Sequence, residues 1–280
     1  MKIHKILLTI ATLFISGCNK KQKIITTNDI SEIQSITSKL GSGDLAIFDC
    51  DDVLSFNPYF TNTGAISIIP LFHRIKTASG IHTDENAIIA MSRLLQESRY
   101  IPVDKGMPNV VSMMQKNGVK TLVLTQLGAG AYGEITSLAE WRISNLEKIG
   151  YTFRNAWSNL KDTSFPDLKQ KINFPRVVVA TPDIPYFMGG MLFAGGFQKQ
   201  EVVERFLQYA NVKPKTLFFI DDIKKNVESM ASFARNLGIS YIGIHYTAVE
   251  DLKYSQECVD GVRQARAKID SLYPKHEAKK

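Results

Sequence analysis

Three acids stand within four positions at Asp49, Asp51 and Asp52, directly after the apolar run Leu45-Ala46-Ile47-Phe48. Side chains at i and i+2 of an extended chain project to the same side. Asp49 and Asp51 are therefore expected to point into one site, with Cys50 and Asp52 facing away. Two bare carboxylates about 5 Å apart repel by roughly 3 kcal/mol at an effective dielectric near 20. A hard divalent cation such as Mg2+ is the natural partner for oxygen ligands in that position. A second acidic pair, Asp221-Asp222, ends the apolar run Thr216-Leu217-Phe218-Phe219-Ile220, and Thr125, followed by Gln126, ends a third run, Thr121-Leu122-Val123-Leu124. Lys199 falls in the first turn of an expected helix, where a cation opposes the helix dipole at a cost of about 0.3–1 kcal/mol. That placement hints that its ammonium serves an anion. Acids, a hydroxyl and a lysine gathered on one rim make a site for a metal and a phosphate.

The elements that must gather them follow from periodicity. Short continuous apolar runs read as strands covered on both faces, and alternation of such strands with helical patterns argues for a parallel sheet between two helical layers. Ligands of such sheets bind at the carboxyl ends of the strands. After a polar tether over 19–28, Asn28 or Asp29 can cap a helix running to Leu40, with Gly41 as its stop. The acid-tipped strand comes next, then an insertion over 55–105 holding Phe56, Tyr59, Phe60 and a helix from Asp84 to Arg99. Pro108 opens a further helix that ends near Gly118. Gly128 and Gly130 are expected to loosen the exit from the Thr125 strand, and a helix then runs to Lys148 with Ile135, Leu138, Trp141 and Leu146 inward. Residues 151–174 read as irregular, with strands over 176–180 and 186–193. Helices over 198–210 and before Gly238 flank the Asp221 strand. Tyr241-Ile242-Gly243-Ile244-His245 closes the sheet and a last helix covers it.

The N-terminus reads as an address. Lys2 and Lys5 precede an apolar run from Ile6 to Ile15, too short to span a bilayer and suited to a secretory leader. The run ends in Ile15-Ser16-Gly17-Cys18, which resembles the bacterial lipobox. The expectation is a leader over 1–17, lipid on Cys18, and a mature chain held to the cell envelope outside the cytoplasm, with Asn19 leaning towards the outer membrane. Loss of Lys2 and Lys5 with the leader takes the formal charge from +7 to +5. Much of the remainder lies in Lys20, Lys21, Lys23 and the basic tail over 261–280, and no motif favours nucleic acid. Cys50 and Cys258 remain; Cys50, inside the sheet, reads as a buried free thiol. The organisation expected is a tether and helix over 18–40, a core over 41–54 and 106–260, and a small, mainly helical cap over 55–105.

The set Asp-x-Asp, Thr, Lys, Asp-Asp-x-x-x-Asn resembles the haloacid dehalogenase superfamily of phosphohydrolases over about 43–247, with its four motifs in order. The lipobox, Gly195-Gly196 before the lysine and Ile220-Asp221-Asp222 look most like uncharacterised secreted bacterial members. Class C acid phosphatases, also lipoproteins, share the acid-rich first motif followed by Asn and Tyr, as at Asn57 and Tyr59. The resemblance implies a three-layer αβα, Rossmann-like core with a cap inserted after the first strand, and a Mg2+-dependent phosphatase of small phosphate monoesters. Asp49 is implied as nucleophile, Asp51 as general acid and base, Thr125 as a phosphoryl hydrogen-bond donor and Lys199 as charge stabiliser. Asp222, Asp49 and the backbone carbonyl of Asp51 are implied as metal ligands, with Asp221, Asn226 and Gln126 behind them; which of Asp221 and Asp222 touches the metal stays open. Val53 departs from the usual Thr after the second acid. A rival expectation is a surface protein that keeps the fold and binds an envelope or host partner without turnover.

Overall fold

The computed structural model describes residues 21–58, 84–168 and 179–253, with scattered positions from 255 to 271. The chain runs β1 (Gln22–Thr27), α1 (Ile30–Thr37), β2 (Leu45–Asp49), β3 (Ser55–Phe56), α2 (Asp84–Glu97), β4 (Ile101–Pro102), α3 (Met107–Lys116) and β5 (Lys120–Thr125). It continues with α4 (Leu138–Lys148), a 3-10 turn (Arg154–Trp157), β6 (Thr163–Ser164), β7 (Tyr186–Met188), β8 (Met191–Phe193), α5 (Lys199–Ala210), β9 (Thr216–Asp221), α6 (Lys224–Asn236), β10 (Ser240–Tyr246) and α7 (Val249–Lys253).

The sheet order is β1-β10-β9-β2-β5-β8-β7-β6. From β1 to β8 every neighbouring pair is parallel, and β7 and β6 add an antiparallel edge. This is the three-layer α/β architecture expected from the alternating pattern. Every residue of β2 is buried, and its side chains alternate between two cores as the pleat requires. Ala46 and Phe48 join Ile33, Met107, Val110, Ile143 and Leu146 on one face. Leu45 and Ile47 join Val202, Phe206, Val227 and Met230 on the other. A strand buried on both faces has no polar side, which is why it reads as an unbroken apolar run.

Register sets the site. Asp49 lies opposite Leu124 of β5, and Phe48 lies opposite Ile220 of β9. Thr125 and Asp221 are therefore brought to the carboxyl edge at the level of Asp49. The insertion is closed at its base where Ser55 and Phe56 pair with Pro102 and Ile101. Within it α2 turns Ala90, Met91, Leu94 and Leu95 onto Tyr132, Ile135 and Leu138. Phe56 is a core residue, while Tyr59 and Phe60 lie outside the described residues, as do Cys18, Cys258, positions 176–178 and most of the basic tail.

Several expectations are corrected. Residues 22–27 form the edge strand β1 rather than a tether, so β1 and not β10 closes that side of the sheet, and the acid-tipped strand is second in the chain. With Lys23 and no buried side chain, β1 lacks the apolar run of a central strand; a lysine on an edge also discourages pairing with other chains. The stretch 186–193 is a hairpin, not one strand: Met188 pairs with Met191 across Gly189 (φ 56°) and Gly190 (φ 82°), the positive angles of a tight two-residue turn. Of the stretch 151–174, residues 151–168 hold the 3-10 turn and β6, anchored by Trp157, whose Nε1 donates to the Thr121 carbonyl at 2.8 Å, and residues 169–174 lie outside the described residues. Asp29 is the cap of α1, accepting from the Ser31 amide, and the helix stops at Thr37. The Gly128–Gly130 exit is tight, not loose. A Cβ at Gly128 would lie 2.4 Å from the Ala180 Cβ, and one at Gly130 2.5 Å from the Thr181 carbonyl oxygen.

Two glycines separate backbone strain from collision. At Gly190 a Cβ would sit 2.4 Å from the Phe153 carbonyl oxygen, whereas at Gly238 (φ 65°) nothing lies within 4 Å. In urea denaturation Gly238→Ala is expected to lose about 1 kcal/mol, the cost of a left-handed alanine, and Gly190→Ala about 2–4 kcal/mol, because overpacking adds to that cost.

Candidate functional site

Asp49 ends β2 and is buried. Its Oδ1 accepts from the Cys50 amide at 2.8 Å and lies 2.8 Å from Lys199 Nζ. The same ammonium donates to Asp221 Oδ2 at 2.7 Å. Lys199 is thus a buried cation shared by two buried carboxylates at the start of α5. The anions its unfavourable helix position serves include the protein's own. Burial lowers its pKa, but Asp221 and Asp49 more than offset that and hold it above the ordinary lysine range.

Asp221, fully buried at the end of β9, has both oxygens engaged. Oδ1 accepts from the Ile223 amide at 2.9 Å and from Asn226 Nδ2 at 3.0 Å, and Oδ2 takes Lys199 and a second Asn226 contact at 3.1 Å. Its neighbour Asp222 is half-buried. Asp49, Asp221 and Asp222 each offer a carboxylate oxygen within 4.8 Å of the others. Burial, followed by the charges of Asp221 and Asp52, raises Asp222 to about 7. Burial, with Asp221 and Asp222 adding to it against Lys199, raises Asp49 well above the usual carboxylate range. One lysine therefore leaves the three acids under-compensated. Three hard oxygen donors with surplus negative charge fit a divalent cation. With Asp221 already holding four donor contacts, Asp49 and Asp222 are the pair best placed to hold it.

Thr125 is buried at the end of β5, its Oγ1 accepting from the Leu127 amide at 3.1 Å. Gln126 Nε2 donates to the carbonyls of Gly195 at 2.5 Å and Phe197 at 2.8 Å. Gln126 thereby fastens the edge of β5 to the loop that delivers Lys199. Asn226 fastens Asp221 in the same way. Each of Asp49, Thr125, Lys199, Asp221, Asp222, Gln126 and Asn226 lies on this one edge.

Asp51 is placed differently from the extended-chain expectation. The strand ends at Asp49, and a tight turn follows in which the Leu54 and Ser55 amides both donate to the Cys50 carbonyl. Asp52, expected to face away, adopts φ 62° and is buried within electrostatic reach of Asp222. The Asp51 side chain stands apart from the three-acid group, with its Oδ1 2.9 Å from Arg142 Nη1. Cys50 faces the core as expected; burial, then Asp51 and Asp49, pushes its thiol up to about 12, which makes it inert as a nucleophile at neutral pH.

Arg142 is the residue missed from sequence. Its side chain is 5% exposed, and its Cζ lies 4.8 Å from the Tyr100 ring centre and 5.0 Å from that of Trp141. Burial opposes its charge, but the Asp51 carboxylate beside it favours the protonated guanidinium, and its pKa is held above the ordinary arginine value. A signal existed: Arg142 sits four residues from both Leu138 and Leu146, on the apolar stripe of α4.

Fold and site together describe an α/β protein with an acid-and-lysine centre at the carboxyl edge of a mainly parallel sheet. A family model described as a protein of unknown function, DUF2608, matches residues 26–273, and the chain belongs to that family. An uncharacterised protein of Rickettsia prowazekii is 22% identical, over 88% of this chain and 85% of its own length. A Chlamydia trachomatis protein, provisionally named an outer membrane protein, is 25% identical over 81% of this chain and 78% of its own. A Chlamydia pneumoniae protein with a similar provisional name is 24% identical over 53% and 48%.

Metal-free protein should show the strain of the acid cluster. A folded pKa near 7 against the ordinary 3.8 means that Asp222 favours folding in acid and that this contribution is lost as pH rises through about 7. Thermal melts from about pH 5 to 8 should show the wild type losing Tm relative to Asp222→Asn, and Mg2+ at about pH 8 should restore the wild type but not the variant.

Proposed function

We propose that this protein is a Mg2+-dependent phosphomonoesterase of the haloacid dehalogenase type that acts on small phosphate esters through an aspartyl-phosphate at Asp49. The observation that carries this reading is the asymmetric hold on Asp49. Oδ1 is fixed from two sides by Lys199 and the Cys50 amide. Among the described residues Oδ2 takes neither contact and is the oxygen left to act, on a carboxylate that neighbours Asp222 and lies at the level of Thr125.

In this reading Asp49 Oδ2 attacks phosphorus, the ester P–O bond breaks, and the leaving oxygen takes a proton from Asp51. Water then attacks the phosphorus of the aspartyl-phosphate and gives its proton to Asp51. The P–Oδ2 bond breaks, which returns the Asp49 carboxylate and frees phosphate. Lys199 opposes the protonation of Asp49 that burial favours and stabilises charge on the transferring group. Thr125 donates its hydroxyl to a phosphoryl oxygen. Asp49 and Asp222 would hold Mg2+, which supplies positive charge at the phosphoryl oxygens when bound. Asp221 and Asn226 orient Lys199, and Gln126 fixes the loop before it.

The location proposed is the cell envelope, with the chain held by lipid on Cys18. The leader over 1–17, with Ser16-Gly17 directly before Cys18, supports it, as do the provisional names of the two chlamydial relatives. Among the described residues no helix is long and apolar enough to cross a membrane.

Phosphate release from p-nitrophenyl phosphate is expected to require Mg2+ and to fall by about 10³-fold or more in Asp49→Asn, the loss typical of removing a covalent nucleophile; equal rates for the two proteins would remove this mechanism. Cys18→Ser is expected to move the protein from the membrane fraction to the soluble fraction of lysed cells, and retention in the membrane fraction would remove the lipid anchor.

A further inference from the structure

We propose that Arg142 is the positioning residue for Asp51, holding the carboxylate away from the acid cluster and on the leaving-group side of the site; this rests on the phosphomonoesterase reading. The helix face that carries Arg142 is built for apolar residues, with Leu138, Ala139, Ile143 and Leu146 buried around it. A guanidinium taken out of water there is costly unless it is paired. Its charged partner is Asp51, at 2.9 Å.

The pair is asymmetric. The Arg142 side chain is 5% exposed and that of Asp51 38%. The anchor is buried while the carboxylate it holds stays open to a ligand. Arg142 is itself restricted by the faces of Tyr100 and Trp141. Tyr100 follows α2 at the base of the insertion, where its hydroxyl meets the Asn57 side chain, and Asn57 Nδ2 donates to Ser98 Oγ at 3.0 Å. The placement of Asp51 is thereby tied to the segment that closes the insertion.

The contact is close but is not a fork. Among the described residues, Arg142 Nε and Nη1 have no aligned hydrogen-bond acceptor, so the attraction is charge at short range and not the rigid bidentate geometry of an arginine–carboxylate pair. Such a hold keeps Asp51 on its own side of the site while letting the carboxylate turn. It also accounts for the three-acid group comprising Asp49, Asp221 and Asp222 without Asp51, although Asp49 and Asp51 are only two residues apart.

The test uses the full-length protein with two esters. p-Nitrophenyl phosphate has a good leaving group that needs little proton donation, and glycerol phosphate has a poor one that depends on it. Arg142→Gln is expected to lower kcat on glycerol phosphate at least about tenfold more than on p-nitrophenyl phosphate, with Arg142→Lys recovering part of the loss. In an Asp51→Asn background, Arg142→Gln should add nothing. Equal losses on both esters, or losses that multiply in the double variant, would overturn the proposal and leave Arg142 a packing residue. Crystals of Arg142→Lys and Arg142→Gln with Mg2+ supply a readout free of turnover: a displaced Asp51 carboxylate is expected, and one that stays in place overturns the assignment. A wild type that cleaves neither ester removes the phosphomonoesterase reading, while the crystals still decide whether Arg142 positions Asp51.

Discussion

One buried ammonium shared between two buried carboxylates is the constraint on which the rest of the site depends. Lys199 touches Asp49 and Asp221 within 2.8 Å and 2.7 Å, and those acids end two adjacent parallel strands. A lone buried carboxylate is costly, and a pair of them more so. The lysine makes their burial tolerable, and nearly everything around it serves to place it. Gln126 grips the loop before α5, Asn226 and the Ile223 amide fix Asp221, and the Phe206 side of α5 packs into the core beneath. The lysine's single charge does not balance Asp49, Asp221 and Asp222 together. That surplus of negative charge is what supports the proposal of a divalent cation there.

The two faces of β2 divide the labour. The helices α5 and α6 stand on the face of Leu45 and Ile47, and they carry Lys199 and Asn226. The helices α1, α3 and α4 stand on the face of Ala46 and Phe48, and α4 carries Arg142. Asp49 and Asp51 lean towards opposite layers because the strand stops between them. Each finds a buried cation there, Lys199 for one and Arg142 for the other. Two carboxylates two residues apart thus occupy different electrostatic surroundings, an arrangement that lets neighbouring acids serve different chemical purposes.

Much of this was legible in the sequence, because apolar runs that end in acids leave little freedom in a parallel sheet. Leu45–Asp49, Thr216–Asp221 and the strand ending in Thr125 were readable as strands from composition alone, and parallel register then put their polar ends on one edge. Edges and turns were less legible. β1 carries no apolar run because an edge strand needs none, and Gly189-Gly190 passes for the middle of one strand over 186–193 until both residues are seen at positive φ. The tightness at Gly128 and Gly130 comes from Ala180 and Thr181, about 50 residues further along the chain, and no local pattern reports it. Asp51 escaped the i, i+2 rule because that rule lasts only as long as the strand. Arg142 was hidden by the habit of treating a charged residue as facing solvent, though its spacing from Leu138 and Leu146 marked it as facing inward.

The measurement that tests the account most directly is the site of covalent phosphorylation. Wild-type protein mixed with Mg2+ and p-nitrophenyl phosphate is quenched in acid within the first turnover, digested, and mapped by mass spectrometry for a hydroxylamine-labile phosphoryl group. The account predicts an acyl phosphate on Asp49, absent when Mg2+ is withheld. Phosphate on any other residue, or hydrolysis that proceeds at full rate with Asp49 unmodified, would contradict it.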